Sequence, residues 1–217
     1  MAGPIDGWEE ACAKVIAEMD ALPASAWKPL DAKLNVKRVE GPVTLTADVT
    51  GLDELWLIVD DGGDSNGCDH SCWVNPVFTK ADGTTESAIT AKIKSSWAQW
   101  DKVRINKNEI NQKLNIAGKD YDEGWFAHAN SYICLALDKK YTKFTVIGGC
   151  DKNAGGSSDW RMGYSLYAVR PATWAAMEGW NKLNEQFPQV AGWINQDLHI
   201  GGGHRFVIEN RKNLSAR

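Results

Sequence analysis

The chain has 217 residues, with 24 basic against 28 acidic side chains and a net charge of −4. That length suits one domain with appendages, or at most two small ones. The weakly acidic balance, without a basic block, argues against a nucleic-acid partner; the nearest thing to one, Arg205 to Arg217, reads as a solvated tail.

Gly7 to Leu22 reads as a helix, capped by Asp6 with Glu9 three residues on. Trp8, Cys12, Val15, Ile16, Met19 and Leu22 fall on one stripe at helical spacing, and Pro23 ends it. A connection holding Trp27 leads to a first strand over Leu34 to Val39. Val43 to Val49 alternates as a half-buried strand. Leu55 to Val59 is a continuous apolar run, as expected of a strand buried on both faces. Asp60 to His70 is a loop with Gly62, Gly63 and Gly67. Strands are expected over Trp73 to Thr79 and Thr84 to Lys94. Ser95 to Trp125 lacks clear periodicity and reads as loops with one or two short strands.

The central stretch, Gly118 to Asp151, holds two strand-like runs. In Ala129 to Leu137, Ser131, Ile133, Leu135 and Leu137 share one face, with Tyr132, Cys134 and Ala136 on the other. In Tyr141 to Cys150, Phe144, Val146 and Gly148 oppose Thr145 and Ile147. The link Asp138-Lys139-Lys140 is of hairpin length. Lys152 to Asp159 reads as a flexible loop, and Trp160 to Val169 as the last strand, with Met162, Tyr164, Leu166 and Ala168 on one face. Pro171 then opens a helix whose stripe is Trp174, Met177, Trp180, Leu183 and Phe187. Val190, Trp193 and Ile194 suggest a second short helix, Gly201 to Gly203 a hinge, and His204 to Glu209 an edge strand or tail. Short strands with glycine-rich loops, bracketed by helices, make the chain mainly β: a β-sandwich with flanking N- and C-terminal α-helices.

Eleven tryptophans are unusual for this length. Most are read as packing residues and two or three as contacts to a ligand or partner, because the ring stacks on flat apolar faces, those of sugars included. No run approaches the roughly 18 apolar residues of a membrane span, and no signal peptide is visible at the start. Of five cysteines, Cys68 and Cys72 can reach each other. Strand parity separates Cys134 from Cys150, and Cys12 sits on the helix stripe as a small hydrophobe.

Two constellations carry candidate chemistry. Asp60, Asp61, Asp64, Asn66 and Asp69 gather oxygens in one glycine-rich loop, as calcium requires, although the spacing is not that of an EF-hand; the alternative is a solvated acidic turn. Asp69, His70 and Trp73 combine an aromatic platform with planar polar groups, the ingredients of a sugar site; the alternative places Trp73 in the core. No pair of carboxylates is evident at glycosidase spacing, and neither H-E-x-x-H nor C-x-x-C occurs. The chain by itself is read as not an enzyme.

Gly118, Asp120, Tyr121, Gly124, His128, Ala129, Ser131, Ile133, Leu137, Tyr141, Phe144, Gly149 and Asp151 together resemble the signature of the NPCBM family, carbohydrate-binding modules attached to bacterial glycosidases. The strand at Leu55 to Val59, the glycine- and aspartate-rich loop and then Asp69, His70 and Trp73 resemble the family's other marker. The two imply coverage from about Leu34 to Ala168, hence an N-terminal helix and connection over 1–33, a sandwich over 34–170 and a helical segment and tail over 171–217. The resemblance implies a jelly-roll sandwich of the galactose-binding-domain-like type. It also implies a non-catalytic module that binds terminal sugars of glycans and accompanies a secreted glycoside hydrolase. An extracellular or periplasmic location is therefore expected, with a targeting segment removed. The implied sugar-binding residues are Asp69, His70, Trp73, Trp125, His128 and Trp160; Asp60, Asp61, Asp64 and Asp69 are the ligands of an expected structural calcium. Trp125 and Phe126 are bulkier than is usual for the family at that point. The different reading is a protein-interaction or dimerisation module docking through its Trp-rich helices, on a homodimer or a catalytic partner domain.

Overall fold

The computed structural model describes residues 5–62, 67–154 and 161–188. They divide into two compact units, Lys28–Val169 and a helical unit drawn from Met1–Trp27 and Arg170–Arg217.

The larger unit holds thirteen strands: β1 Asp31–Lys37, β2 Val43–Asp48, β3 Glu54–Asp60, β4 His70–Thr79, β5 Thr85–Ser87, β6 Ile93–Ala98, β7 Arg104–Ile105, β8 Leu114–Ile116, β9 Lys119–Tyr121, β10 Gly124–His128, β11 Ser131–Ala136, β12 Lys143–Cys150 and β13 Arg161–Tyr167. The first sheet runs β1-β13-β3-β11-β6. The second runs β2-β12-β4-β10-β7, with β5 also on β4, and β8 and β9 form a separate hairpin. Leu57, Val59, Ile133, Leu135, Tyr164 and Leu166 from the first sheet share one core with Leu45, Phe144, Val146, Trp73, Phe78 and Trp125 from the second. One apolar face from each sheet closing a single core makes a β-sandwich.

The alternation expected of β11, β12 and β13 holds. Ile133, Leu135, Phe144, Val146, Met162, Tyr164 and Leu166 point inward, and Cys134 with Tyr132 lies on the opposite face. The apolar run at Leu55–Val59 is β3, at the centre of the first sheet. On the outer face of the second sheet, Leu114, Ile116 and Tyr121 of the β8–β9 hairpin cover Cys72, Val74 and Phe126.

Four expectations change. The two central runs are not a hairpin: β11 belongs to the first sheet and β12 to the second. Asp138 and Lys139 both have positive φ, and the corner is held by Leu137 N–H to the Asp53 carbonyl and Lys139 N–H to the Leu52 carbonyl. The link therefore turns the chain from one sheet to the other instead of folding it back. The first strand starts earlier, at Asp31, and leaves Val39 exposed. Thr84–Lys94 breaks into β5, a 3-10 turn at Ala88–Thr90 and the start of β6. Cys68 and Cys72 are not bonded, because Cys72 turns to the outer face and donates to Asp151.

In the helical unit, α1 spans Trp8–Asp20 and α2 Ala172–Gln186. Gly7, in the left-handed region, is the N-cap of α1, with no side-chain cap; the Asp6 cap is not formed. Trp8, Cys12, Val15 and Met19 pack against Ala176, Trp180, Leu183 and Phe187. Trp8 meets Phe187 edge to face at 5.2 Å. Helices approach closely at Gly179, where a Cβ would stand 2.4 Å from Val15 Cγ1. Trp180, Leu183 and Phe187 of the expected stripe are thus buried against α1, whereas Trp174 and Met177 are not part of that cluster. Trp193, the short second helix, the glycine hinge and the tail lie outside the described residues.

Candidate functional site

Strands β4 and β10 pair antiparallel, with His128 opposite His70, Phe126 opposite Cys72 and Trp125 opposite Trp73. Side chains alternate faces along a strand, so this ladder sorts the expected sugar-binding residues into two sets. Trp73 and Trp125 point into the core, at 1% and 0% exposure, and Trp73 packs edge to face on Tyr164 at 5.0 Å. Neither ring offers a face to a ligand, which corrects their reading as platforms. Asp69 is also buried. Trp160 lies outside the described residues.

His70 and His128 instead share the outer face, ring centroids 5.1 Å apart. His128 Nδ1 is 2.6 Å from the Ala129 carbonyl. A carbonyl only accepts, so Nδ1 carries the proton and Nε2 is left as an acceptor in the neutral ring. Burial, first, and then the neighbouring His70 hold the His128 pKa below its ordinary value, against the pull of the Ala129 carbonyl and Glu109. The ring is therefore neutral at pH 7. His70 Nδ1 faces Glu109 Oε1 at 2.9 Å, and its ring meets Phe126 edge on at 5.9 Å. Beside His128, at 6.4 Å and edge on, stands Trp100, which is 60% exposed.

Two loops bring Trp100 and Glu109 to the histidines. Gln99 N–H donates to the Asn130 carbonyl, and beyond Trp100 the Asp101 carboxylate accepts from Arg104 Nε at 2.6 Å. On the other loop, Asn108 is fully buried and its Oδ1 accepts from Ile110 N–H and Gln112 N–H, turning the chain around Glu109. Asn108 Nδ2 in turn donates to Asp151. That buried carboxylate also accepts from Asn115 N–H, Asn153 N–H and Cys72 Sγ, and so anchors the loop. Trp100, Asn108 and Glu109 lie in a stretch without periodicity, so no strand pattern could place them. The odd spacing of three between His70 and Trp73, and between Trp125 and His128, did carry the signal that each pair faces opposite ways.

The acidic loop is less convergent than its composition suggests. Asp60 accepts from Gly62 N–H at 3.0 Å. Asp61 accepts from Asn130 Nδ2 at 3.3 Å while its own N–H donates to Asn130 Oδ1. Among the described residues, no three His, Cys, Asp or Glu side chains gather as a metal site; Asp64 lies outside the described residues. The loop also spells Gly63-x-Ser65-x-Gly67, the spacing of a nucleophile elbow, but the elements on either side are the strands β3 and β4, whereas an elbow leads from a strand into a helix.

An antiparallel sandwich carrying an exposed aromatic ring beside two imidazoles and a carboxylate has the parts of a binding module for polar ligands with apolar faces. The model of the NPCBM/NEW2 domain matches residues 28–79 and 85–165, and the chain belongs to that family, which bears out the resemblance and makes carbohydrate the partner its class supports. No curated protein and no solved structure matches the chain.

Proposed function

We propose that the protein is a non-catalytic carbohydrate-binding module whose ligand stacks on Trp100 and hydrogen-bonds to His128, His70 and Glu109. The observation behind this reading is the exposed Trp100 ring set beside His128, with His70 and Glu109 adjoining. An indole face matches the C–H face of a pyranose. Nε2 of His128 accepts from a sugar hydroxyl, and the imidazole–carboxylate pair offers donor and acceptor to its neighbours. In this reading the module serves an exported glycan-degrading enzyme and keeps it near its substrate by effective concentration.

The test is a glycan array followed by calorimetry on the hits. Binding by the parent protein and its loss in Trp100→Ala, at unchanged melting temperature, is the expected result. An array with no hits, in buffer with and without calcium, sinks the reading. Calcium remains a proposal for a site that includes Asp64. It requires a melting temperature that falls on chelation, recovers with calcium and ceases to respond in Asp64→Ala.

A further inference from the structure

At the opposite end of the sandwich, the corner at Leu137–Tyr141 and the turn at Ala88–Lys92 enclose a depression of about 180 Å³. Strand β4 runs from His70 at one site to Phe78 at the other. The eight residue steps between them, at roughly 3.3 Å each, put about 26 Å between the two, so they are separate. The volume lies below the roughly 300 Å³ at which pockets for drug-sized ligands begin; it suits one small unit rather than a chain.

Its walls are chemically mixed. Ala136 and Ala91 supply apolar surface, and Tyr141 forms an aromatic side, fixed by stacking on Phe78 at 4.1 Å and 9° and by its hydroxyl donating to Glu86. Thr90 donates its hydroxyl to the Ser87 carbonyl at 3.4 Å, which leaves the oxygen free to accept. Two lysines are among the lining residues, Lys92 and Lys140. Lys140 is paired with Asp138 at 3.1 Å, whereas Lys92 has no ion-pair partner among the described residues. The lining therefore carries one uncompensated positive charge beside an apolar wall and a hydroxyl acceptor.

We propose that this depression is a second ligand site, for an acidic sugar unit such as a uronic acid. The carboxylate pairs with Lys92, a ring hydroxyl donates to Thr90 Oγ1, and the apolar ring face lies against Tyr141 and Ala136. The proposal rests on the reading of the protein as a glycan binder but uses none of the residues around Trp100.

Calorimetric titration with glucuronate, glucose and acetate tests it. Glucuronate binds the parent protein at least tenfold more tightly than either control. Lys92→Glu abolishes that binding and Lys92→Gln weakens it, both at unchanged melting temperature. Trp100→Ala leaves it intact. The proposal is overturned if glucuronate does not bind, if binding survives Lys92→Glu, or if Trp100→Ala removes it. Acetate binding as tightly as glucuronate also overturns it, since the site would then be a simple anion hole. Glucuronate binding with an empty glycan array would instead remove the Trp100 site and leave this one standing.

Discussion

Three residues apart on one strand, Trp73 and His70 have opposite tasks, and single substitutions separate them. Trp73→Ala removes a fully buried indole and leaves a cavity, at a cost of roughly 3–5 kcal/mol; a large fall in melting temperature is expected. Trp100→Ala removes an exposed ring and leaves the melting temperature unchanged, while glycan affinity falls about tenfold or more, equivalent to roughly 1.4 kcal/mol. A Trp100→Ala protein that binds as tightly as the parent would place the ligand elsewhere. His128 sets a pH dependence whose sign follows from its depressed pKa. In the unfolded chain the ring takes up a proton near pH 6.5, whereas in the folded protein it resists until lower pH. Between those two values the unfolded state binds more protons, so stability falls as pH drops below about 6.5 and levels off once the folded ring is protonated as well. Melting curves from pH 8 to 4.5 should show this decline, and His128→Gln should reduce it.

At the scale of elements, two contacts invite a test. Gly179 faces Val15 with no room for a Cβ. Alanine is the better helix former by about 1 kcal/mol, yet Gly179→Ala is expected to destabilise by roughly 1–3 kcal/mol through overpacking, since valine in a helix has one strongly preferred rotamer. The double variant with Val15→Ala should recover part of the loss in thermal denaturation. Asp151→Ala orphans buried donors from Asn108 and Asn115, each costing roughly 1–3 kcal/mol. It should lower both the melting temperature and glycan affinity, because the loop bearing Glu109 loses its anchor. What the sequence showed at this scale was pattern: β2, β11, β12 and β13 could be read because residues two apart share a chemistry, and β3 because its apolar run is unbroken. Partner choice is not local. The Asp138-Lys139-Lys140 link has the length of a hairpin, but its two positive-φ residues and their bonds to the 52–53 carbonyls send the chain to the other sheet. The loops carrying Trp100 and Glu109 were illegible for a related reason, being shaped by long-range bonds to Asn130 and Asp151 and not by any repeat.

For the whole molecule, the family match at 28–79 and 85–165 falls within the larger compact unit, Lys28–Val169. The fold class was accessible from pattern alone because strand periodicity and glycine-rich turns recur throughout that span. The site needed coordinates, since its members come from β4, β10 and two irregular loops. Every residue of the Trp100 site belongs to that larger unit, so the Gly179→Ala variant should keep its glycan dissociation constant at temperatures where both units are folded.

The ladder between β4 and β10 has a consequence for how this protein can change. Positions 71, 73, 125 and 127 carry the core on one face, and positions 70 and 128 carry the candidate chemistry on the other. In the proposed reading, stability and recognition are thus interleaved on the same two strands, one residue apart. Saturation mutagenesis across both strands, scored once for abundance and once for glycan capture, should give two profiles of period two that are out of phase at their histidine-bearing ends. Such a surface can acquire a new ligand preference by drift at 70 and 128 while selection on folding holds their neighbours still.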